Sequence, residues 1–201
     1  MTITERSFII SVMRIKDENK KEAIFSATVR MINEIGFVNV SMSKIAKAAG
    51  VSTSTLYTYY ENKEDMFRKV YMDVKMQMHS ACNRGISKDE TVKQSVRKIC
   101  ENLLEFMQEH KDYFFFIEQS SNSPLVTPIM HKEIEVQSQE TIEVFERGIQ
   151  EGILKRTSPI LLIGFCFYPI SQLYKESCQQ GMLQDIDYYL VFQMCWDAIK
   201  N

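Results

Sequence analysis

The chain has 201 residues, 45% of them hydrophobic and 25% charged, and a formal net charge of −2. That length holds one compact domain with a full core, or a small domain joined to a larger one, and the composition excludes a long disordered polypeptide. Its five cysteines, Cys82, Cys100, Cys166, Cys178 and Cys195, are odd in number, widely spaced and without a C-x-x-C pair. They signal neither a disulfide framework nor a thiolate zinc site, and fit a reducing cytoplasm.

Residues 1–15 read as an N-terminal arm or helix extension, because the apolar patch F-I-I-S-V-M is broken and has no small-residue cleavage site behind it. A helix follows, with Ile24, Thr28, Met31 and Ile35 at three- and four-residue spacing among lysines and glutamates. Gly36 should stop it in the left-handed conformation, with Phe37 folding back onto the last turn. Ser41 is placed to cap a short helix that Gly50 ends, and Ser52 or Thr53 to cap another of about two turns. From Lys63 a longer helix carries Met66, Val70, Val74 and Met78 at a spacing of four. No proline precedes Pro124, so the first half is free to be almost continuously helical.

Beyond Gly85, Val92, Val96, Ile99, Leu103 and Phe106 form one amphipathic stripe. Y-F-F-F-I (Tyr113 to Ile117) is a short apolar segment, and S-N-S-P-L-V-T-P (Ser121 to Pro128) is the clearest loop. A long helix through Ile134, Thr141, Phe145 and Ile149 should end near Gly152. Ser158 followed by Pro159 starts another, running to Gly181, and a last helix sets Tyr189, Phe192, Trp196 and Ile199 on one face. No strand alternation competes, so the expected fold is all-α. Its longest apolar run, Pro159 to Ile170, is 12 residues, too short to span a bilayer.

Residues 43–60, S-K-I-A-K-A-A-G-V-S-T-S-T-L-Y-T-Y-Y, carry the functional signal. Two short helices joined at Gly50 and Val51 read as a helix-turn-helix. Ala46 and Ala49 are small enough for a close crossing, and Ile45, Val51 and Leu56 supply a miniature core. With Leu56 facing inward, the second helix presents hydroxyls and aromatic edges outward, a surface suited to the major groove and its phosphates. The window from Arg14 to Lys63 holds eight basic against five acidic residues, a local excess that phosphate attraction depends on more than total charge.

S-M-S-K-I-A-K-A-A-G-V-S-T-S-T-L-Y-T-Y-Y-E-N-K-E-D-M-F resembles the DNA-binding signature of the tetracycline-repressor (TetR) family, specifically over about Glu22 to Val70. The resemblance implies a dimeric repressor that leaves a palindromic double-stranded operator when a small-molecule inducer enters the C-terminal part. It divides the chain into a helix-turn-helix domain at 1–62 and a helical ligand-binding and dimerisation domain at 63–201. Carried over by position, Ser52, Thr53, Ser54, Thr55, Tyr57, Thr58 and Tyr59 fall on or at the start of the recognition helix. Ser41 and Ser43 fall at the phosphate-facing start of the preceding helix, and Lys63 at a phosphate-gripping position. Ser54 stands where glycine is common, and Tyr59 where histidine or another polar residue is frequent. The helix has no Arg, Asn or Gln, so base choice leans on thymine methyls and DNA shape.

In the larger domain the apolar helix around Pro169 and the last helix should build a four-helix dimer interface. Phe106, Tyr113, Phe114, Phe116, Phe145, Phe165 and Tyr168, with polar His110, Glu118, Gln119 and Gln172, are candidates to line a pocket for an amphipathic ligand. His79 and Cys82 have helical ligand spacing but lack two further ligands, so no metal is expected, and nothing signals a cofactor. An enzyme is disfavoured by three histidines, no phosphate-cradling glycine loop and no nucleophile motif. A purely helical interaction protein leaves the exposed hydroxyl-rich helix unexplained, whereas an activator, or a regulator without an effector, shares the same DNA-binding motif.

Overall fold

The computed structural model describes residues 3–121, 123–126, 138–179 and 185–201, with side chains from Asp17 onward. Among these residues the secondary structure is helical apart from a single antiparallel bridge, Leu154 to Lys200. The chain divides into two compact units: Met1–Val74 with Phe115–Thr127, and Lys75–Phe114 with Pro128–Asn201.

The first unit begins with α1 (Ile3–Asn39), helical from its third residue, which makes the start of the chain a helix extension in its backbone. Ile24, Ala27, Thr28 and Ile32 are buried, while Met31 and Ile35 of the expected stripe are only half-buried. Thr28 is tolerated there because its hydroxyl donates to the Ile24 carbonyl at 2.7 Å. Gly36 interrupts the helix, but not in the left-handed geometry expected. Its φ of 73° and ψ of 156° lie in a region that side chains exclude, and helical backbone resumes to Asn39. Phe37 meets Phe67 edge-on at 5.1 Å.

Two short helices follow, α2 (Met42–Ala48) and α3 (Thr53–Tyr59). Ser41 caps α2 by accepting from the Lys44 amide, and Ser52 rather than Thr53 caps α3 by accepting from the Thr55 amide at 3.1 Å. Gly50, at φ 67°, makes the turn between them, and the Val51 amide bonds the Ala46 carbonyl at 3.0 Å. α4 (Lys63–Cys82) starts on Asn62, whose side chain accepts from the Asp65 amide at 2.8 Å. Met66, Val70, Val74 and Met78 are all buried as their spacing predicts. Within the first unit Phe67, Tyr71 and Phe116 form an aromatic cluster with centroids 5.9–6.2 Å apart.

The second unit packs α5 (Val92–Glu109), α7 (Gln139–Gln150), α8 (Pro159–Ser177) and α9 (Tyr188–Ile199); α6 (Lys111–Ser120) lies between α5 and α7 in the chain. Thr91 and Gln94 close a capping box at the start of α5. α7 comes close to its neighbours at Gly148, where an added Cβ would stand 2.5 Å from Leu154 and 2.8 Å from Val92. Pro159 occupies the first turn of α8, and Pro169 lies within it. Tyr174 of α8 donates its hydroxyl to the Met107 carbonyl of α5 at 2.7 Å. The expected helix through Thr141, Phe145 and Ile149 is α7, ending at Gln150, whereas its Ile134 end, the end of the Ser121–Pro128 loop and a helix end at Gly181 lie outside the described residues.

Gly36 tests the backbone argument, since no atom lies within 4 Å of a Cβ built there. Gly36→Ala is therefore expected to destabilise the chain through conformation alone, by about 1–3 kcal/mol. Urea unfolding measures this, and a loss too small to resolve would show that the turn relaxes into an allowed geometry.

Candidate nucleic-acid interface

α3 buries one side chain, Leu56, which has no exposed surface. A seven-residue helix pinned by one leucine turns the rest of its circumference away from the core. Ser54, Tyr57 and Thr58 are exposed, and Tyr57 keeps 54% of its surface accessible, a large fraction for an aromatic. Thr53 and Thr55 are half-buried. The hydroxyls are arranged among themselves: Ser52 Oγ lies 2.9 Å from Ser54 Oγ and 2.8 Å from Thr55 Oγ1, and Thr58 donates to the Ser54 carbonyl at 3.2 Å. At the start of α2, Ser41 and Ser43 hydroxyls lie 3.2 Å apart, with Ser43 exposed. Exposed Lys44 and Lys47 on α2 add positive charge, Lys44 Nζ donating to the Asn39 carbonyl at 2.9 Å.

Two expected contacts are placed differently. Tyr59 is half-buried and donates its hydroxyl to Asp17 of α1. That bond is the main cause of its phenol being raised to about 12, with desolvation second, so it is neutral at physiological pH. The same bond holds the Asp17 carboxyl below its ordinary range. Lys21 pairs with Asp17 at 3.3 Å and lies 5.5 Å from the Tyr59 ring centroid. Lys63 turns its ammonium to the Phe37 and Val40 carbonyls, each at 3.2 Å, and 4.2 Å from the Phe37 ring centroid. It ties the end of α1 to the start of α4. Tyr60 is half-buried behind α3, with Lys69 Nζ 5.6 Å from its ring centroid, and desolvation raises its phenol.

Sequence reasoning missed Asp17 and Lys21. Their four-residue spacing was visible, but their partner lies 42 residues on, a distance no periodicity reports.

The candidate pocket residues are divided between the two units, Phe116, Glu118 and Gln119 in the first and the others in the second. Phe106 is buried, with His110 at 5.1 Å and Tyr113 stacked on His110 at 5.2 Å. Phe114 meets Tyr174 edge-on and Phe145 is fully buried, both as core, while Phe116 belongs to the aromatic core of the first unit. Glu118 and Gln119 sit in the last turns of α6 and Gln172 bonds Glu176 on its own helix at 2.8 Å. Phe165 and Tyr168 face outward, Tyr168 at 76% exposure. They border a groove of about 570 Å³ with Ile160, Leu161 and Pro169 along α8.

A different, smaller cavity of about 220 Å³ lies between α5, α8 and α9, lined by Arg97, Cys100, Glu101, Leu104, Ile170, Tyr188, Tyr189 and Phe192. Tyr188 lines it from the start of α9, though its hydroxyl itself has almost no accessible surface. Burial raises the Tyr188 phenol, and a hydrogen bond with Ser177 acts the other way, Ser177 giving its own proton to the Tyr174 carbonyl at 2.7 Å. His79 is half-buried beside the Ser138 hydroxyl, and desolvation lowers it to about 3, so it is neutral at physiological pH. Among the described residues no three His, Cys, Asp or Glu side chains gather as a metal site.

Residues 24–70 match the model of bacterial regulatory proteins of the tetR family, and residues 71–201 that of the tetracyclin repressor-like C-terminal domain. A TetR family transcription regulator of Marinobacter aquaeolei is 32% identical at a TM-score of 0.86, covering 94% of this chain and 99% of that one. An uncharacterised HTH-type transcriptional regulator of Bacillus subtilis, YhgD, is 21% identical over 67% of this chain and 70% of its own length. The regulator FadR of Bacillus subtilis, solved with stearoyl-CoA, shares the fold at a TM-score of 0.69 and 20% identity, over 88% of this chain and 96% of that one.

The cap on α3 gives a direct check. Ser52→Ala removes the acceptor of the Thr55 amide and is expected to cost about 1 kcal/mol, with faster hydrogen exchange at that amide. Unchanged protection at Thr55 would show that the helix is held by its packing alone.

Proposed function

Because the chain belongs to the TetR family of transcription regulators, we propose that it is a ligand-responsive repressor that binds a palindromic operator as a dimer and is released by a small-molecule inducer. The observation that carries the DNA-binding part is α3: one buried leucine, with Tyr57, Ser54 and Thr58 exposed. Ser41 and Ser43 at the start of α2 suit phosphate oxygens, exposed Ser52 adds a hydroxyl at the start of α3, and Thr53 and Thr55 support the reading surface from its half-buried edge. Lys63 acts chiefly by holding the ends of α1 and α4 in register, leaving Lys44 and Lys47 as the more open cations of the motif.

Support for a dimer comes from the apolar surface left open on the last two helices. Ile160, Leu161, Phe165 and Tyr168 on α8, and Tyr189, Leu190 and Met194 on α9, are each more than half exposed. Outward aromatic and aliphatic side chains in such number mark an association surface, and a second copy places two recognition helices for successive major grooves about 35 Å apart.

The inducer site we favour is the cavity walled by Leu104, Ile170, Tyr188 and Phe192, with Arg97 and Glu101 among its lining, since mostly apolar walls with a few polar groups suit a small ligand. At about 220 Å³ it is smaller than the ~300–1,000 Å³ usual for drug-sized ligands, so it suits a compact, largely apolar molecule with one hydrogen-bonding group rather than a long acyl chain. The stearoyl-CoA held by the FadR relative is the comparison ligand to test against that expectation.

Selection from a random DNA pool tests the central reading: the chain should enrich a palindrome, and no enrichment at physiological salt would sink it. On the selected site, Tyr57→Ala should weaken binding and alter base preference. Lys63→Ala should weaken all sequences alike while lowering the unfolding midpoint. Phe165→Glu with Tyr168→Glu should yield a monomer by sedimentation and lose most affinity for the palindrome. A dimer that survives both charges would move the interface elsewhere.

A further inference from the structure

α3 is too short, and too lightly buried, to fix its own orientation. Its N-terminal end is fastened by the Ser52 cap and its middle by Leu56. At the C-terminal end the tethers are to Tyr59: its carbonyl accepts from Lys69 Nζ at 3.3 Å, and its hydroxyl donates to Asp17 of α1. Asp17 is itself held by Lys21, one turn along the same helix. The carboxylate, the phenol and the ammonium thus form a compact group of balanced charge, joining two helices far apart in the chain.

We infer that Asp17 is a positioning residue for DNA reading, clamping the C-terminal end of α3 to α1 through the Tyr59 hydroxyl and leaving that hydroxyl no proton to give a base. The inference rests on the proposed DNA-binding reading and goes beyond it by moving Tyr59 from base readout to alignment and adding a residue outside the helix-turn-helix. The physical case is one of lever arms. Tyr57 and Tyr59 follow each other on the same short helix, so a rotation of α3 about Leu56 displaces the Tyr57 ring from any base edge it meets. A second fixed point, away from Leu56, suppresses that rotation.

A purely repulsive role for Asp17 makes the opposite prediction, since removing a carboxylate near DNA phosphates should then tighten binding. Lys21 beside it offsets that charge, so alignment should dominate. A merely stabilising role is distinguishable as well. It would shift the unfolding midpoint and leave the affinity of the folded protein in place.

The test uses the full chain and a DNA site it has selected, with affinities measured well below the unfolding midpoint. Asp17→Ala and Tyr59→Phe should each weaken binding roughly three- to tenfold, the discount from a fully buried charged hydrogen bond reflecting their exposure. The double variant should be no weaker than either single one, because both remove the same bond. Asp17→Asn, which keeps an acceptor for the phenol, should recover affinity to within about twofold of the unmodified chain. Base preference, read on single-substituted sites, should be that of the unmodified chain throughout. The inference is overturned by wild-type or tighter binding of Asp17→Ala, by additive losses in the double variant, or by a changed base preference in Tyr59→Phe alone. Failure of the unmodified chain to enrich any sequence removes the DNA-binding reading and this inference together, whereas enrichment followed by one of those variant patterns removes the inference alone.

Discussion

The burial of Leu56 is the constraint on which the interface depends. A two-turn helix has too few internal hydrogen bonds to persist alone, since nucleation costs more than so short a propagation returns. α3 therefore exists because Leu56 is taken fully out of water among the buried residues of the first unit, and because Ser52 satisfies an amide at its start. One anchor per two turns also decides what is left over. Every other side chain of α3 is partly or wholly outside the core, so the sequence at those positions was free to serve recognition instead of packing.

What the anchor does not supply is rigidity, and the surrounding structure provides it with polar ties. Lys63 joins two carbonyls at the end of α1 to the start of α4, Lys69 reaches the Tyr59 carbonyl, and Asp65 accepts from the Glu61 amide at 3.1 Å and from Lys69 at 2.8 Å. Asp65 is held below the ordinary carboxyl range although its desolvation acts the other way; the opposing hydrogen bonds from Lys69, Glu61 and Arg68 outweigh it. Each tie is small for exposed groups, and their common effect is to fix the segment between α3 and α4 against the end of α1. Lysines that look like phosphate ligands when read singly are, in this arrangement, partly committed to backbone oxygens.

The boundary between what was legible in the sequence and what was not follows the range of the interactions. Caps, helix periods and the glycine turn at Gly50 are set within a few residues, so Ser41, the buried run Met66, Val70, Val74 and Met78, and inward Leu56 were all readable. Gly36 reads as a break and takes the positive φ that glycine favours, but its ψ of 156° differs from the left-handed helical value, and Phe37 beside it meets Phe67, a contact thirty residues away. For Tyr59 and Lys63 residue type gives the chemistry, but their partners within the protein, Asp17 for the hydroxyl and the Phe37 and Val40 carbonyls for the ammonium, lie too far along the chain for spacing to report. The pocket residues were the least legible, because aromatic side chains that line a cavity and those that fill a core have the same spacing. Phe116 and Phe145 have the spacing of pocket residues and are core.

Those observations bear on how the proposed switch would have to work. α8 and α9 contribute both to the cavity lined by Ile170, Tyr188 and Phe192 and to the exposed apolar surface, so a molecule entering the cavity acts on the very helices that would set the spacing of two copies. To lower operator affinity tenfold it need bind the released arrangement only about 1.4 kcal/mol better than the DNA-bound one. One hydrogen bond contributes on that scale, about 0.5–1.5 kcal/mol net. A hydrogen bond to Arg97 or Glu101 of the cavity wall in one arrangement and not in the other is therefore sufficient in magnitude, whereas apolar filling of the cavity, equal in both arrangements, would bind tightly and switch nothing.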